Sequence, residues 1–496
     1  MSLRFSLTVM ATAIASAAGC SDPSLPPVGG GGSGGAPAEG GSSMDDGGAN
    51  AAGGGAGLGG GDGGSGGAIT ADLALTIVSP ASPWSFERAR LDIVADVVAP
   101  DGSLVMLERG DDILEQAAVD DLTSADRGTR RVKLQVPFLR GPFSCDVVLR
   151  APDNREERIS IDLHGGRQVA SSLDRHAALF DGQLHAVGGG DPSVSTLAPT
   201  VLLTSIHARG DTFVAIDEMG DVLALDMDIS SAEPWLVGED IIAASLGGAH
   251  ALLLRSDGTV VATGSNVVGQ LGTGDAAAVD GFVDVEALDG IVAIAASNAT
   301  SYAVRDDGVL FAWGGNEDGE LGLGNEDAAA HPTPGAVPTP KPIVGVAAGR
   351  GHVLALANDG ALYAWGLGTS GQLGDGSSGI LASKSQPVAI STENAIVDVF
   401  ANTNTSFAAD GSGLLWVWGQ NGLAQLGIGD TGQRTEPTQS LVGTVIGAAA
   451  GPVGGASLDS MGRFYVWGSN ASGQLGLLPP PEGPERSSVP VEVVLP

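Results

Sequence analysis

The sequence predicts an all-β repeat protein, built from hairpin units that recur about every fifty residues. The first observation is a short motif, Gly-Gln-Leu-Gly in its plainest copies, whose final glycine falls at residues 272, 322, 374, 427 and 476. The second is a glycine-centred turn between two apolar runs upstream of each motif. Such a period is typical of stacked supersecondary units, each of which buries its apolar face against the next.

Each unit contains a β-hairpin. In a clear copy, Asp257-Gly258 separates the apolar runs 251–254 and 260–263. Because Asp-Gly favours a type I′ turn, in which both central residues have positive φ, the pattern predicts tight two-residue hairpins. The turn occurs seven times, two more than the motif, and its glycines are Gly182, Gly220, Gly258, Gly308, Gly360, Gly413 and Gly462.

Aromatic residues alternate along the second strand of four hairpins, just before the glycine that ends it. A spacing of two places each pair on one face of the strand, which predicts packing against the next unit rather than ligand binding. The tryptophans at this position are Trp313, Trp365, Trp418 and Trp467.

Two further positions recur. Asparagine and glycine enter the left-handed region at least cost, so the recurring asparagine predicts a backbone kink. These residues are Asn266, Asn316, Asn421 and Asn470, with Gly368 in the remaining copy. A histidine opens the hairpin at His250 and His352, with His176 as a third candidate. Recurrence of this kind predicts a structural hydrogen bond rather than catalysis.

The string of apolar strand, Asp-Gly, Tyr-x-Trp-Gly and x-Asn-x-x-Gly-Gln-Leu-Gly resembles the regulator-of-chromosome-condensation repeat family. The resemblance covers the last two-thirds of the chain, clearly in five repeats and weakly in the first two. It implies a seven-bladed β-propeller with four-stranded blades over residues 167–496, in agreement with the seven hairpins. We expect segment 489–495, which resembles a strand that opens a repeat, to complete the blade begun at 167–169 and close the ring.

Residues 1–20 predict a lipoprotein-type signal peptide ending at Cys20. The apolar run 7–18 is too short to span a bilayer. Ala17-Ala18-Gly19-Cys20 is similar to the cleavage box of bacterial lipoproteins, which implies lipidation of Cys20 and anchoring at the outer membrane or cell surface. The alternative is plain export, leaving a secreted or periplasmic protein.

Residues 21–68 predict a disordered, Gly-rich linker, because 21 of the 39 residues in 29–67 are glycine. Residues 69–166 predict a small β-sandwich. Its alternating runs are 73–78, 91–98, 132–136, 143–150 and 159–163. The pattern resembles the immunoglobulin-like (Ig-like) modules of bacterial secreted proteins, and another β-type accessory domain is the alternative. Cys145, on one of these strands, is expected to be a buried structural cysteine.

The chain is strongly acidic, with a formal net charge of −35. Nucleic acids are bound largely through phosphate neutralisation, so we expect no nucleic-acid partner. Acidity is compatible with a basic protein partner. For the acidic loops 316–318 and 325–327, solvated turns are the favoured interpretation and weak Ca²⁺ sites are the alternative. No catalytic constellation, cofactor motif or metal-ligand spacing is present in the sequence, so no cofactor or metal is expected.

These patterns predict a non-enzymatic, monomeric binding protein of the cell envelope, in contact with the membrane only through its lipid anchor. Its propeller loops would bind a protein or a glycan. The insertions expected to make contact are 273–284, 325–342, 375–387 and 477–488. Two alternatives remain open: a propeller lyase or hydrolase with a site at the mouth of the channel, and a guanine-nucleotide-exchange regulator like the namesake of the family.

Overall fold

The structure is a computed structural model of the 496-residue chain. It describes residues 74–79, 91–98, 104–109, 112–118, 130–136, 142–150, 156–164 and 168–496, apart from 181, 198–200, 227–230 and 460. Every regular element in these residues is a β-strand, which confirms the predicted fold class. Within them, no helix is long and apolar enough to cross a membrane. The predicted signal peptide, Cys20 and the Gly-rich linker lie outside the described residues.

The N-terminal strands form two antiparallel sheets, ordered β1-β2-β5 and β4-β3-β6-β7. Their bounds are β1 (Ala74–Ser79), β2 (Leu91–Val98), β3 (Leu104–Arg109), β4 (Asp112–Ala118), β5 (Arg130–Val136), β6 (Pro142–Arg150) and β7 (Glu156–His164). The sequence predicted five of these strands and missed β3 and β4, which pair across a short turn. The Ig-like identity of this segment stays a prediction.

The following 28 strands form seven four-stranded antiparallel sheets, so the predicted seven-bladed β-propeller is confirmed. Blade 1 contains β8 (Gln168–Ser171), β9 (Arg175–Phe180), β10 (Gln183–Gly188) and β11 (Asp191–Leu197). Blade 2 contains β12 (Leu203–Arg209), β13 (Thr212–Asp217), β14 (Val222–Leu225) and β15 (Ala232–Leu236). Blade 3 contains β16 (Ile241–Leu246), β17 (His250–Arg255), β18 (Val260–Gly264) and β19 (Phe282–Asp284).

The remaining blades follow the same order. Blade 4 contains β20 (Ile291–Ala296), β21 (Thr300–Arg305), β22 (Leu310–Asn316) and β23 (Asp327–Ala336). Blade 5 contains β24 (Ile343–Ala348), β25 (His352–Ala357), β26 (Leu362–Gly366) and β27 (Lys384–Ile390). Blade 6 contains β28 (Ile396–Asn402), β29 (Thr405–Asp410), β30 (Leu415–Gly419) and β31 (Arg434–Gln439). Blade 7 contains β32 (Gly447–Ala450), β33 (Gly454–Leu458), β34 (Phe464–Ser469) and β35 (Arg486–Val493).

The ring closes by side-chain packing rather than by strand exchange. The expected pairing of 489–495 with blade 1 is wrong, because β35 pairs with β34 and is the outer strand of blade 7. Blade 1 already has its own outer strand, β11. Within the propeller, seven apolar clusters are each shared by two neighbouring blades, and one joins Val169 and Val187 of blade 1 to Phe464 of blade 7. These clusters bury the blade faces all around the ring.

The turns between the second and third strands differ from the expected type I′ geometry. In blade 3 the Gly258 N–H donates to the Arg255 carbonyl at 3.0 Å, and the Arg255 N–H donates to Thr259 at 2.9 Å. Only Gly258 has a positive φ, of 84°, whereas Asp257 does not. The turn is therefore a type I turn followed by a glycine bulge. The Asp257 carboxylate stabilises it by accepting the Thr259 N–H at 3.0 Å.

Candidate functional site

The two faces of the propeller carry different loops. We call the motif face the one formed by the loops that join first to second strands and third to fourth strands, because the repeat motif lies there. The hairpin face carries the turns between second and third strands. The first strands of the blades, β8, β12, β16, β20, β24, β28 and β32, line a central channel.

The recurring asparagines hold the loops of the motif face. The Asn421 Oδ1 accepts the Leu426 N–H at 3.0 Å, and its Nδ2 donates to the carbonyls of Asp430 and Gly432, both at 3.0 Å. None of the four asparagines has a positive φ, so the expected left-handed kink is wrong. The amide side chain, rather than the backbone conformation, is what this position requires. The same bonding pattern occurs at Asn266, Asn316 and Asn470.

The recurring tryptophans, together with a serine and a histidine, join neighbouring blades. The carbonyl of Gln372 in blade 5 accepts two hydrogen bonds from blade 6, from Trp418 Nε1 at 2.9 Å and from Ser406 Oγ at 2.7 Å. His352 Nε2 lies 2.8 Å from the same Ser406 Oγ. Because the serine donates its hydrogen to Gln372, His352 must donate to the serine, which places the proton of this imidazole on Nε2.

We call this set of contacts between neighbouring blades a joint. The same joint connects blades 3 and 4, and its residues are His250, Ser301, Gln270 and Trp313. Trp365 and Trp467 make the corresponding bonds to the carbonyls of Glu320 and Gln425. All four tryptophans are fully buried. His176 lies in blade 1 and bonds Ser171 instead, at 2.8 Å.

The joints hold their histidines neutral. Burial, and next the charge of Arg209, lower the pKa of His250 to about 3. The same two causes lower the pKa of His352 to about 3. A neutral imidazole is the form that the hydrogen-bond pattern requires, so geometry and electrostatics agree. These residues describe a joint between blades rather than an exposed reactive group.

The channel contains one charged side chain among the residues that line it, Arg209 at the end of β12. Its Nη1 donates to the carbonyls of Ala296 and Ala348 at 3.4 and 3.3 Å, and its Nη2 donates to Gly349 at 3.2 Å. Burial lowers the pKa of Arg209 to about 10, so the guanidinium stays charged at neutral pH. No sequence pattern predicted a role for this residue. The available signal was that an arginine stands where the other first strands end in uncharged residues.

The loop between β26 and β27 carries the two most exposed large apolar side chains in the described part of the chain. Ile380 and Leu381 are 89% and 91% exposed. They occupy the centre of a turn in which the Ala382 N–H donates to the Gly379 carbonyl at 3.1 Å. The sequence predicted insertion 375–387 as a contact loop but did not single out this aliphatic pair.

An ion pair and a hydrogen bond within this loop hold it in place. Lys384 Nζ lies 3.3 Å from Asp375 Oδ2, and the Ser377 N–H donates to the same carboxylate at 3.0 Å. Blade 5 is also the unit with Gly368 in place of the motif asparagine. A Cβ at Gly368 would lie 2.4 Å from the Ala382 carbonyl oxygen, so loop backbone occupies the space beside it. The loop that carries the exposed apolar turn is therefore held by contacts other than those of the motif asparagine.

Insertion 325–342 is not a loop, and its predicted partner contacts stay a prediction. Most of insertion 325–342 is β23, the ten-residue outer strand of blade 4. The sequence did not predict a strand here because alanine and proline are both depleted in central strands. Proline is nevertheless accepted on an edge strand. The Asp327 carboxylate accepts the Ala329 N–H at 3.0 Å and lies 2.9 Å from His331 Nε2. In the residues that the structure describes, no group of three His, Cys, Asp or Glu side chains is placed to hold a metal ion.

A closed ring of seven blades, five of which carry the repeat motif, defines the class of the protein, a repeat propeller of the type suggested by the sequence. Comparison with known proteins gives the family: residues 217–495, more than half of the chain, match the RCC1-like domain. The chain belongs to this family. The solved structure of Prp20p from Saccharomyces cerevisiae, described with its binding to Gsp1p and histones, is similar with a TM-score of 0.50 and 20% identity, over 58% of this chain and 80% of that one.

Two human relatives are longer proteins. The E3 ubiquitin-protein ligase HERC2 is 33% identical over 307 residues, which is 58% of this chain and 6% of HERC2. The probable E3 ubiquitin-protein ligase HERC3 is 37% identical over 97 residues, which is 19% of this chain and 9% of HERC3. The chain thus spans less than a tenth of the length of these curated relatives.

The prediction that the chain is not an enzyme requires correction. It rested on the lack of a catalytic constellation in the sequence, and it is contradicted by relatives that are named as E3 ligases. A repeat motif built from structural residues carries no information on the catalytic status of the proteins that contain it.

Proposed function

We propose that this chain is an interaction module of the cell envelope, in which the motif face of the propeller binds a protein with a basic surface. The turn that displays Ile380 and Leu381 is the observation that carries this proposal. Apolar side chains with this much exposure on a loop held by its own hydrogen bonds are typical of contact residues. A preorganised loop loses little conformational entropy on binding, which favours affinity.

An aliphatic pair favours a protein over a glycan as the partner. Burying an isoleucine or leucine side chain contributes roughly 1.5–3 kcal/mol when it enters an apolar pocket. A protein surface offers such pockets, whereas a sugar presents mainly hydroxyl groups. The two side chains are adjacent at the tip of one turn, so a single pocket of the partner could accept both.

Charge on the same face supports a basic partner. Glu317, Glu326 and Glu436 are exposed in blades 4 and 6, on either side of the blade that carries the turn. Burial raises the pKa of Asp318, and the neighbouring Glu317 raises it further. Cationic groups of a partner would relieve this repulsion and accelerate association at low salt.

The cellular location is proposed from the sequence pattern at Cys20. A lipid on this cysteine would attach the chain to the envelope, and the Gly-rich linker would let residues 69–496, with a proposed Ig-like module at 69–166, reorient at the surface. Cys20→Ser should move the protein from the membrane fraction to the soluble fraction. A wild-type protein that is already soluble and takes up no labelled lipid would contradict the anchor.

Affinity capture with matched variants tests the proposed interaction. Wild type, Ile380→Ser/Leu381→Ser and Met219→Ser/Met461→Ser are immobilised and exposed to an extract of the cell envelope. The methionines are a control, because they are also exposed but lie on turns of the hairpin face. We expect wild type and the methionine variant to retain a basic protein. The Ile380/Leu381 variant should retain at least about tenfold less of that protein. Equal retention by all three would contradict the proposal.

A further inference from the structure

Arg209 is a half-buried cation, and no described carboxylate is paired with it. The walls of the channel around it are mainly alanine, valine, leucine and isoleucine side chains, and they enclose a cavity of about 160 Å³. Desolvation is the cause of its lowered pKa, and no ion pair opposes that effect. In the described part of the chain, its hydrogen-bond acceptors are the three backbone carbonyls of blades 4 and 5. An anion beside the guanidinium would offset the cost of its partial desolvation.

The donors of the guanidinium are only partly used. A guanidinium has five N–H groups in a fixed plane. The two bonds of Nη1 and the one bond of Nη2 account for three of them. By the geometry of a guanidinium, the N–H of Nε lies parallel to one N–H of Nη2 on one edge of the plane. No described residue accepts from Nε. Two parallel N–H groups on one edge match the two oxygens of a carboxylate.

We propose that Arg209 binds a carboxylate group in the channel of the propeller, through Nε and Nη2. One further donor near Arg209 lacks a partner among the described residues: the Oγ of Ser297 is buried without a hydrogen bond. Ser297 directly follows Ala296, whose carbonyl Arg209 contacts. The accessible surface of the channel is mostly polar, and this site is separate from the Ile380–Leu381 turn.

The surroundings select a small monoanion. One guanidinium balances one negative charge, and the alanine-rich walls leave room for a short aliphatic body beside it. Asp211 and Asp174 lie near each other at the same end of the propeller, and their mutual repulsion contributes to the raised pKa of Asp211. They would disfavour a dianion such as phosphate more strongly than a monoanion. The carboxylate comes either from a free small acid or from the side chain of a polypeptide partner.

Carbon-13 NMR of labelled acetate with the full chain tests the site. We expect saturable line broadening of acetate with wild type and none for the neutral analogue acetamide. Arg209→Lys keeps the charge but lacks the parallel N–H pair, so acetate should bind about tenfold more weakly. Arg209→Gln should abolish binding. Arg463→Lys is the matched control, because Arg463 is paired with Asp459 at the surface, and it should bind acetate like wild type.

A second arm separates the two sources of the carboxylate. A short blocked peptide with one aspartate, and its asparagine counterpart, are titrated in the same way. Acetate binding that depends on Arg209 supports a free acid. Binding of the aspartate peptide alone, again dependent on Arg209, supports a polypeptide carboxylate. Binding that is absent for both probes, or unchanged in Arg209→Lys, overturns the site and leaves Arg209 as a tie between blades. If Arg209→Gln does not fold, the folded Arg209→Lys variant decides.

Discussion

The indole nitrogen of Trp418 in blade 6 donates a 2.9 Å hydrogen bond to the backbone carbonyl of Gln372 in blade 5. This single contact explains two parts of the repeat at once. It links the tryptophan that precedes the glycine of one unit to the Gln-Leu-Gly of the unit before it. The tryptophan and the Gln-Leu-Gly of the repeat motif therefore form the contact between one blade and the next.

Trp418→Phe tests the energy of this link. The ring is largely kept, but the hydrogen bond is lost, so the free energy of unfolding should fall by about 1–2 kcal/mol in urea titration. Trp418→Ala, which also leaves a cavity, should cost about 3–5 kcal/mol. Trp235→Phe is the control, since Trp235 is half-buried on an outer strand, and it should change stability by about 0.5 kcal/mol or less. Trp418→Phe with wild-type stability would contradict the joint.

Replacement of Asn421 distinguishes its amide from its backbone. Asn421→Ala and Asn421→Gly both remove bonds to Leu426, Asp430 and Gly432, so each should lower the free energy of unfolding by about 2 kcal/mol or more. Chemical denaturation measures both. Wild-type stability in the glycine variant alone would show that backbone conformation is the requirement at this position.

The last glycine of the motif is required by the next tryptophan. Gly374 has a φ of 80°, and an added Cβ would lie 2.7 Å from Trp418 Nε1. Gly374→Ala should therefore destabilise the protein by about 1–3 kcal/mol. Gly443→Ala provides the comparison, because nothing lies within 4 Å of its added Cβ, and its melting temperature should stay close to that of wild type. Equal melting of the two variants would be inconsistent with this packing.

The neutral histidines predict acid sensitivity. The pKa of His352 is about 3 in the folded chain, and the unfolded value is close to 6.5. The unfolded state binds more protons between these values, so stability should be lost as the pH falls from 6.5 towards 3. The loss is up to about 1.4 kcal/mol per pH unit for each such histidine.

His250→Gln/His352→Gln isolates this contribution. The double variant should be less stable than wild type at pH 7, because its joints are incomplete. Its urea midpoint should fall less steeply between pH 6.5 and 4.5. The carboxyl groups of Glu320 and Asp318, whose pKa values burial raises, are common to both proteins and cancel in the comparison. Parallel pH profiles would exclude the buried histidines as the source.

The sequence predicted the architecture because its signals are local and repeated. Seven glycine turns and five motif copies suffice to count blades, since each unit shows the same pattern. The closure was mispredicted because β35 and an opening strand have similar alternation, and only pairing partners distinguish them. The role of Arg209 could not be predicted because the carbonyls that accept its hydrogen bonds lie 87 to 140 residues away in the sequence. The Ile380–Leu381 turn was missed because exposure of an aliphatic pair has no sequence signature.

Site-specific photo-crosslinking in living cells is the most direct test of the proposed interaction. A benzophenone amino acid is placed at Leu381 on the motif face and, in a separate variant, at Met219 on the hairpin face. Both positions are exposed and tolerate a large side chain without loss of packing. We expect a discrete adduct with a basic protein from position 381 and none from position 219. Adducts from position 219 alone, or none from 381, would contradict it.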